Sequence, residues 1–485
     1  MATDRADLMV TGGLVVTGKG ISRSDVLVKD GRVAEMGADL SAREARRVID
    51  ASGKYVLPGA IDAHAHPVYA DRIDQYSICA AFGGVTTIMA FVGNVRAWGF
   101  EGYTPDVVKA FVQEGETTSY LDFAVHGTFT AADEDSLQRS IPELIRLGVP
   151  SFKVFMAYKR RGMMISDEAI LHVLDLASRD GGLTMVHAES GSCIEYLTER
   201  FLARDQKGPQ WFLPSQPNIL EAEAVNRAST FAQVVGTSLY PVHLSTKEAL
   251  PVVRRFREQG MPLFTETCPH YLTLTNEEVL KKGPLGKVGP PLREREDSEA
   301  LWQALADGTI DVVGSDSGGF TRARKLAGPG TENIFEAPYG LNTIEFMVPV
   351  IWSYGVNQGR ISLPRLAQVL CENPAKVFGL YPRKGTLQPG SDADLVVWDP
   401  ARPHSVRGQH GNADYSSFDG FELLGMPELT MQRGEVVMEG GKVVRAQGKA
   451  RFVKGDPNAT PYAPHGHKLD QDRSGVERRD RAAGT

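Results

Sequence analysis

The chain has 485 residues, 42% hydrophobic and 23% charged, with a formal net charge of −7. That is ordinary globular composition in a chain too long for one ordinary core, so one large domain with a smaller companion is expected, and the negative balance offers no basic field for nucleic acid. No apolar run approaches the ~20 residues of a membrane span. The start, MATDRADLMV, lacks the pattern of a secretory leader. The four cysteines (Cys79, Cys193, Cys268, Cys371) form no C-x-x-C pair and fit reduced thiols in a cytoplasmic protein.

Residues 1–55 read as short strands joined by turns: LMVTGGLVV, DVLVKDGRV and YVLPG carry β-rich runs with Gly-Gly and Asp-Gly punctuation. Residues 56–380 alternate strand and helix patterns. The strand candidates are VLPGAIDAH, GVTTIMAF, YLDFAVHGTF, SFKVFM, LTMVHAE, SLYPVHLS, PLFTETC and TIDVVGSD. Helical segments such as DEAILHVLDLASRD, ILEAEAVNRASTFAQVV and TKEALPVVRRFREQ lie between them. Eight β-rich runs separated by helices predict an α/β fold, a (β/α)8 TIM barrel. A doubly wound sheet alternates too, but no G-x-G-x-x-G follows the first strand. Residues 381–454 return to the β texture of the start, with GEVVMEGGKVV as a hairpin. Neither terminal piece makes a core alone, so both are expected to join in one small β-sandwich. Residues 455–485 are polar and charged and read as a flexible tail or an oligomerisation arm.

Polar residues interrupt the apolar strands near their ends, where a barrel places its active site. His64 and His66 end the first strand, and residues i and i+2 share a strand face, so both imidazoles can reach one ion. His465 and His467 repeat the pattern in the tail, where it reads as a solvated segment. His187 in TMVHAE and His243 in YPVHLS end two further strands; one such histidine is usually a core residue, whereas a pair on successive strands reads as metal ligands. Asp316 in VGSD either caps a helix or serves as ligand and general base. Lys153 lies within the apolar strand SFKVFM, where an unpaired ammonium is costly. It either pairs with an acid or is carboxylated by CO2 into an anionic bridge between two divalent ions, which four histidines and one aspartate would otherwise hold with few ligands.

These residues resemble the hydantoinase/dihydropyrimidinase branch of the amidohydrolase superfamily over nearly the whole chain. The likeness runs from YVLPGAIDAHAH through FGGVTTIMAF, SFKVFMAYK, VHAESG, VHLST, FTETCPHYL, GPPLR and VGSD to PGSDADLVVWDP. The resemblance implies a binuclear zinc site, with His64, His66 and Asp316 on the more buried ion, His187 and His243 on the other, and carboxylated Lys153 as bridge. It also implies that Tyr158 steadies the oxyanion, and that the backbone at Gly289 and the segment around Tyr339 contact the substrate. A small cyclic ureide, opened to an N-carbamoyl amino acid, is the implied substrate, and a homotetramer the implied assembly. The chain departs from the family pattern at Ser317, at Tyr339 in APYG, and in PVYADRIDQYS after His66. Val68 stands where dihydroorotase-like enzymes carry an arginine, which counts against that reaction. Allantoinase-like hydrolysis is the alternative reaction; a non-catalytic scaffold is the alternative class, and the complete ligand set speaks against it.

Overall fold

The computed structural model describes residues 5–460. Six parallel strands follow one another in space as in sequence: Ala60–Ala65, Val85–Gly93, Asp122–Thr128, Ser151–Phe155, Leu183–His187 and Leu239–Pro241. A bridge from Leu239 to Leu263 carries the sheet toward Glu266–Thr267, which pairs with Val312–Val313. Ser317, just past that last strand, bridges back to Ala65, and the amide of Asp316 donates to the carbonyl of His64 at 2.9 Å. The eight strands therefore close on themselves as the predicted (β/α)8 barrel. The strands are buried on both faces, which is why they read as near-continuous apolar runs. The helices expected at 167–180, 219–235 and 246–259 are Asp167–Arg179, Ile219–Val235 and Ala249–Glu258. Among the described residues no helix is long and apolar enough to cross a membrane.

The terminal segments form two sheets. Four strands from the first fifty residues make one, in the order Arg32–Gly37, Asp25–Lys29, Ala6–Thr11, Ala45–Asp50. In the other, Tyr55–Pro58 lies between the C-terminal strand Leu395–Ser405 and the N-terminal strand Leu14–Thr17. Both termini thus share one sandwich, whose core joins Leu8, Val10, Val26 and Val28 to Val56, Leu395, Val397 and Met431. The expected hairpin is Glu435–Glu439 with Lys442–Val443. The junction drawn at 55/56 falls inside the strand Tyr55–Pro58; the chain passes into the barrel at Gly59. Gly455 and Asp456, placed in the tail by sequence, are tied to the body through the carbonyls of Gly148 and Gly379 at 3.0 Å each. The expected arm beyond Thr460, with His465 and His467, lies outside the described residues.

A buried charge cluster fastens the two parts together. Lys384 Nζ, with no solvent exposure, lies 2.7 Å from Asp122 at the base of the third barrel strand, 2.7 Å from Asp394 and 3.1 Å from Asp392 at the entry to the sandwich. Removing the cation would leave Asp394 without an ion-pair partner among the described residues, and Asp122 and Asp392 with only Arg433 at 3.1 Å and Arg383 at 3.0 Å. Lys384→Met is expected to lower unfolding free energy by about 3–5 kcal/mol in denaturant titration; a change below about 1 kcal/mol would contradict this role.

Candidate active site

All nine residues singled out in the sequence line one cavity at the C-terminal end of the barrel strands: His64, His66, Lys153, Tyr158, His187, His243, Gly289, Asp316 and Tyr339. They come from five strand ends and two long loops, so only barrel closure brings them together. The backbone there is strained. Tyr158, His243 and Asp316 hold φ of +67°, +39° and +46°, in the left-handed region that side chains with a Cβ seldom adopt.

On one side, His64 Nε2 and His66 Nε2 lie 3.2 and 3.1 Å from the same oxygen of Asp316. The donor atoms of these three residues fall within 4.8 Å of one another, a spacing that can hold a metal ion. Burial opposes charge on His64, but Glu266 and Asp316 outweigh it and lift the imidazole to about 9. Burial brings His66 down to about 4. Burial also opposes the charge of Asp316, yet the two imidazoles hold its carboxyl well below the usual range. A cation is the species this donor set calls for, and His66 Nδ1 has no hydrogen-bond partner among the described residues.

On the other side, His187 Nδ1 and His243 Nε2 face each other at 2.8 Å. Burial depresses both imidazoles, the neutral form a metal ligand needs. The His64 and His243 rings stand 5.3 Å apart, so the two halves adjoin. Lys153 is 1% exposed, and its Nζ has no hydrogen-bond partner among the described residues. Its surroundings are the rings of Phe91 and Phe155, at 5.1 and 5.4 Å. Burial brings this amine down to about 7, against the pull of Glu266 and Asp316. The ion pair weighed for Lys153 is therefore absent: no carboxylate lies within ion-pair distance among the described residues.

Tyr158 donates its hydroxyl to the carbonyl of Gly289 at 3.1 Å. Gly289 has a steric reason to be glycine. A Cβ there would run into the Tyr158 hydroxyl and lie 2.9 Å from Tyr339 Cδ1. The bulky Tyr339 and the bare Gly289 thus complement each other. Gly289→Ala is expected to lower kcat/KM by about 10–100-fold through overpacking of about 1–3 kcal/mol; steady-state kinetics would check it, and an unchanged value would refute the steric reading. The loop bearing Tyr339 is held by two buried lysines. Lys287 Nζ donates to the carbonyls of Phe335 and Ala337 at 3.0 and 2.7 Å. Lys325 Nζ donates to those of Lys287, Pro338 and Gly340 at 2.9, 2.8 and 2.8 Å.

Ser317 does not reach the cavity. Its hydroxyl accepts from the amide of Thr343 at 3.0 Å, and its carbonyl accepts from the amide of His66 at 3.1 Å, so this departure serves barrel closure. The altered stretch after His66 brings Tyr69 against Phe320, ring centroids 4.2 Å apart, on the cavity wall.

Sequence reasoning missed the groups that aim the candidate ligands. Glu266 accepts from His64 Nδ1 at 2.6 Å, from the Tyr240 hydroxyl at 2.9 Å and from the amide of His243 at 3.1 Å, so it reaches both halves of the site. Such a carboxylate fixes the tautomer and ring orientation of a ligating histidine. Glu189 lies 2.8 Å from His187 Nε2. Asp62 accepts from the amides of His64 and Ser315, at 3.2 and 2.9 Å. The available signal was a carboxylate at an apolar strand end, in FTETC, VHAE and AIDAH.

The family model described as "Amidohydrolase family" matches residues 55–437. The chain is 36% identical to a D-hydantoinase of Ralstonia pickettii over 463 residues, 92% of this chain and 98% of that one. It is 35% identical to an L-hydantoinase of Paenarthrobacter aurescens over 464 residues, with the same coverage of each. A dihydropyrimidinase structure from Brevibacillus agri NCHU1002 superposes with a TM-score of 0.88 at 32% identity, covering 93% of this chain and 98% of that chain.

Proposed function

Because this chain belongs to the amidohydrolase family, in its hydantoinase and dihydropyrimidinase branch, we propose that it opens a cyclic ureide by metal-dependent hydrolysis of the in-ring amide, releasing an N-carbamoyl amino acid. The observation that carries this reading is the convergence, in one cavity, of His64, His66 and Asp316 beside His187, His243 and Lys153, whose Nζ has no hydrogen-bond partner among the described residues. His64, His66 and Asp316 would hold one divalent ion, and His187 and His243 a second. Bound ions supply Lewis acidity and ready a water for attack near neutral pH. Lys153 fits the bridging role as a carbamate: its neutral amine adds to CO2, an N–C bond forms, and one proton leaves. That converts an orphaned amine into an anion between the two halves. Zinc as the metal, a homotetramer as the assembly and the cytoplasm as the compartment belong to the same reading.

The chain's own groups divide the remaining work. Asp316 accepts the proton of the attacking water and delivers it to the departing ring nitrogen. The Tyr158 hydroxyl donates to the carbonyl oxygen as negative charge builds there. The Gly289 carbonyl accepts from a ring N–H. In this structure Tyr158 and Gly289 bond each other, so substrate would replace one contact by two. Tyr339 and Phe320 wall the cavity, and ring substituents would lie against them.

Hydrolysis of hydantoin, dihydrouracil and allantoin in oxygen-18 water tests the reading. Turnover of a ring, with solvent oxygen in the new carboxylate, is expected; a metal-replete protein that opens none of the three would refute it.

A further inference from the structure

The catalytic cavity continues outward into a second, wider space. The two share Tyr69, Tyr158, Arg161, Phe320 and Tyr339 as a common waist. Arg161 stands at that waist, half-buried, its guanidinium 5.5 Å from the Tyr158 ring centre and 5.7 Å from that of Tyr339. Arg324 stands on the outer wall, 4.5 Å from the centre of the Tyr69 ring. Neither guanidinium makes a hydrogen bond or ion pair with another described residue. Arg160 differs: Glu195 and Glu199 neutralise it. With Glu195 so engaged, Glu336 is the other acid on that wall. Two uncommitted guanidiniums thus meet one glutamate at the mouth, on a chain of net charge −7.

We propose that this outer space is a carboxylate subsite, selecting cyclic ureides whose ring substituent ends in an acid. The inference rests on the ring-opening reading above and names its substrate class. With the ring amide between Tyr158 and Asp316, a substituent leaves the inner cavity past Tyr339 and Phe320 and meets Arg161, then Arg324. The planar fork of a guanidinium matches a carboxylate with two parallel hydrogen bonds. Stacking on two tyrosines holds Arg161 in place, so little side-chain freedom is lost on binding. Partial burial weakens solvent screening there.

The test compares hydantoin bearing a carboxyethyl group on its ring carbon with the carbamoylethyl analogue of the same shape, and with unsubstituted hydantoin. The acid is expected to exceed the amide in kcat/KM by about tenfold or more, mainly through KM, with the advantage shrinking at high salt. In Arg161→Gln and Arg324→Gln the acid-to-amide ratio should fall toward unity; reading the ratio cancels any loss common to both substrates. Calorimetric binding of N-carbamoylglutamate against N-carbamoylglutamine should show the same preference without turnover. Equal rates and equal affinities for acid and amide, or a preference for a phenyl substituent over both, would overturn the subsite while leaving the ring-opening reading intact. Failure to open hydantoin, dihydrouracil and allantoin alike would overturn that reading and this proposal with it.

Discussion

Lys153→Ala is expected to abolish stoichiometric metal uptake and to lower turnover by about 10⁴-fold or more. The side chain is enclosed, and its Nζ has no partner among the described residues, so an ammonium there would be poorly compensated. Burial already brings the amine to about 7, where much of it is the neutral nucleophile that CO2 requires. Two further variants separate the modification from a plain cation. Lys153→Arg keeps positive charge between Phe91 and Phe155 but forms no carbamate, and should be as inactive as Lys153→Ala. Lys153→Glu restores an anionic oxygen ligand and should recover part of the metal content. A carbon-13 carbamate signal from labelled bicarbonate, present in the native protein and absent from all three variants, checks the chemistry directly. An active Lys153→Arg enzyme would refute it.

Asp316→Asn is expected to cut kcat by about 10²–10⁴-fold, the range for loss of a positioned proton carrier. Asparagine suits the test because it tolerates the left-handed backbone that Asp316 adopts at φ +46°. It keeps an oxygen for the metal side but cannot take the water's proton. A drop in kcat with near-normal metal content would assign the effect to proton transfer. Metal loss in proportion to activity would make the ligand role dominant. Full activity would remove Asp316 from the mechanism. Alanine would be a poorer choice, since it removes the charge and also strains the left-handed backbone.

The candidate ligands were legible in sequence because His64, His66, His187, His243 and Asp316 are polar residues ending apolar strands and Lys153 is a lysine inside one, and strand ends share one face of a barrel. His64, His66, His187 and His243 needed only that rule. The barrel and the two-ended sandwich followed from the alternation of elements and the repeated β texture at both ends. The groups that orient the candidate ligands were not legible, since Glu266 meets His64 across 202 positions of sequence, through barrel closure alone. The complementarity of Gly289 and Tyr339 likewise depends on two loops meeting in the fold. Arg161 appears in sequence as one of three consecutive basic residues, Lys159–Arg161. Only the fold shows that Arg160 is neutralised while Arg161 turns onto the two tyrosines.

Titrating metal-stripped protein with zinc or manganese while following hydantoin or dihydrouracil hydrolysis tests most directly whether a two-ion site opens the ring. Activity is expected to rise with added metal to a plateau at about two ions per chain, with bicarbonate required for full recovery. Undiminished hydrolysis by the stripped protein, or a plateau at one ion without need of bicarbonate, would contradict it.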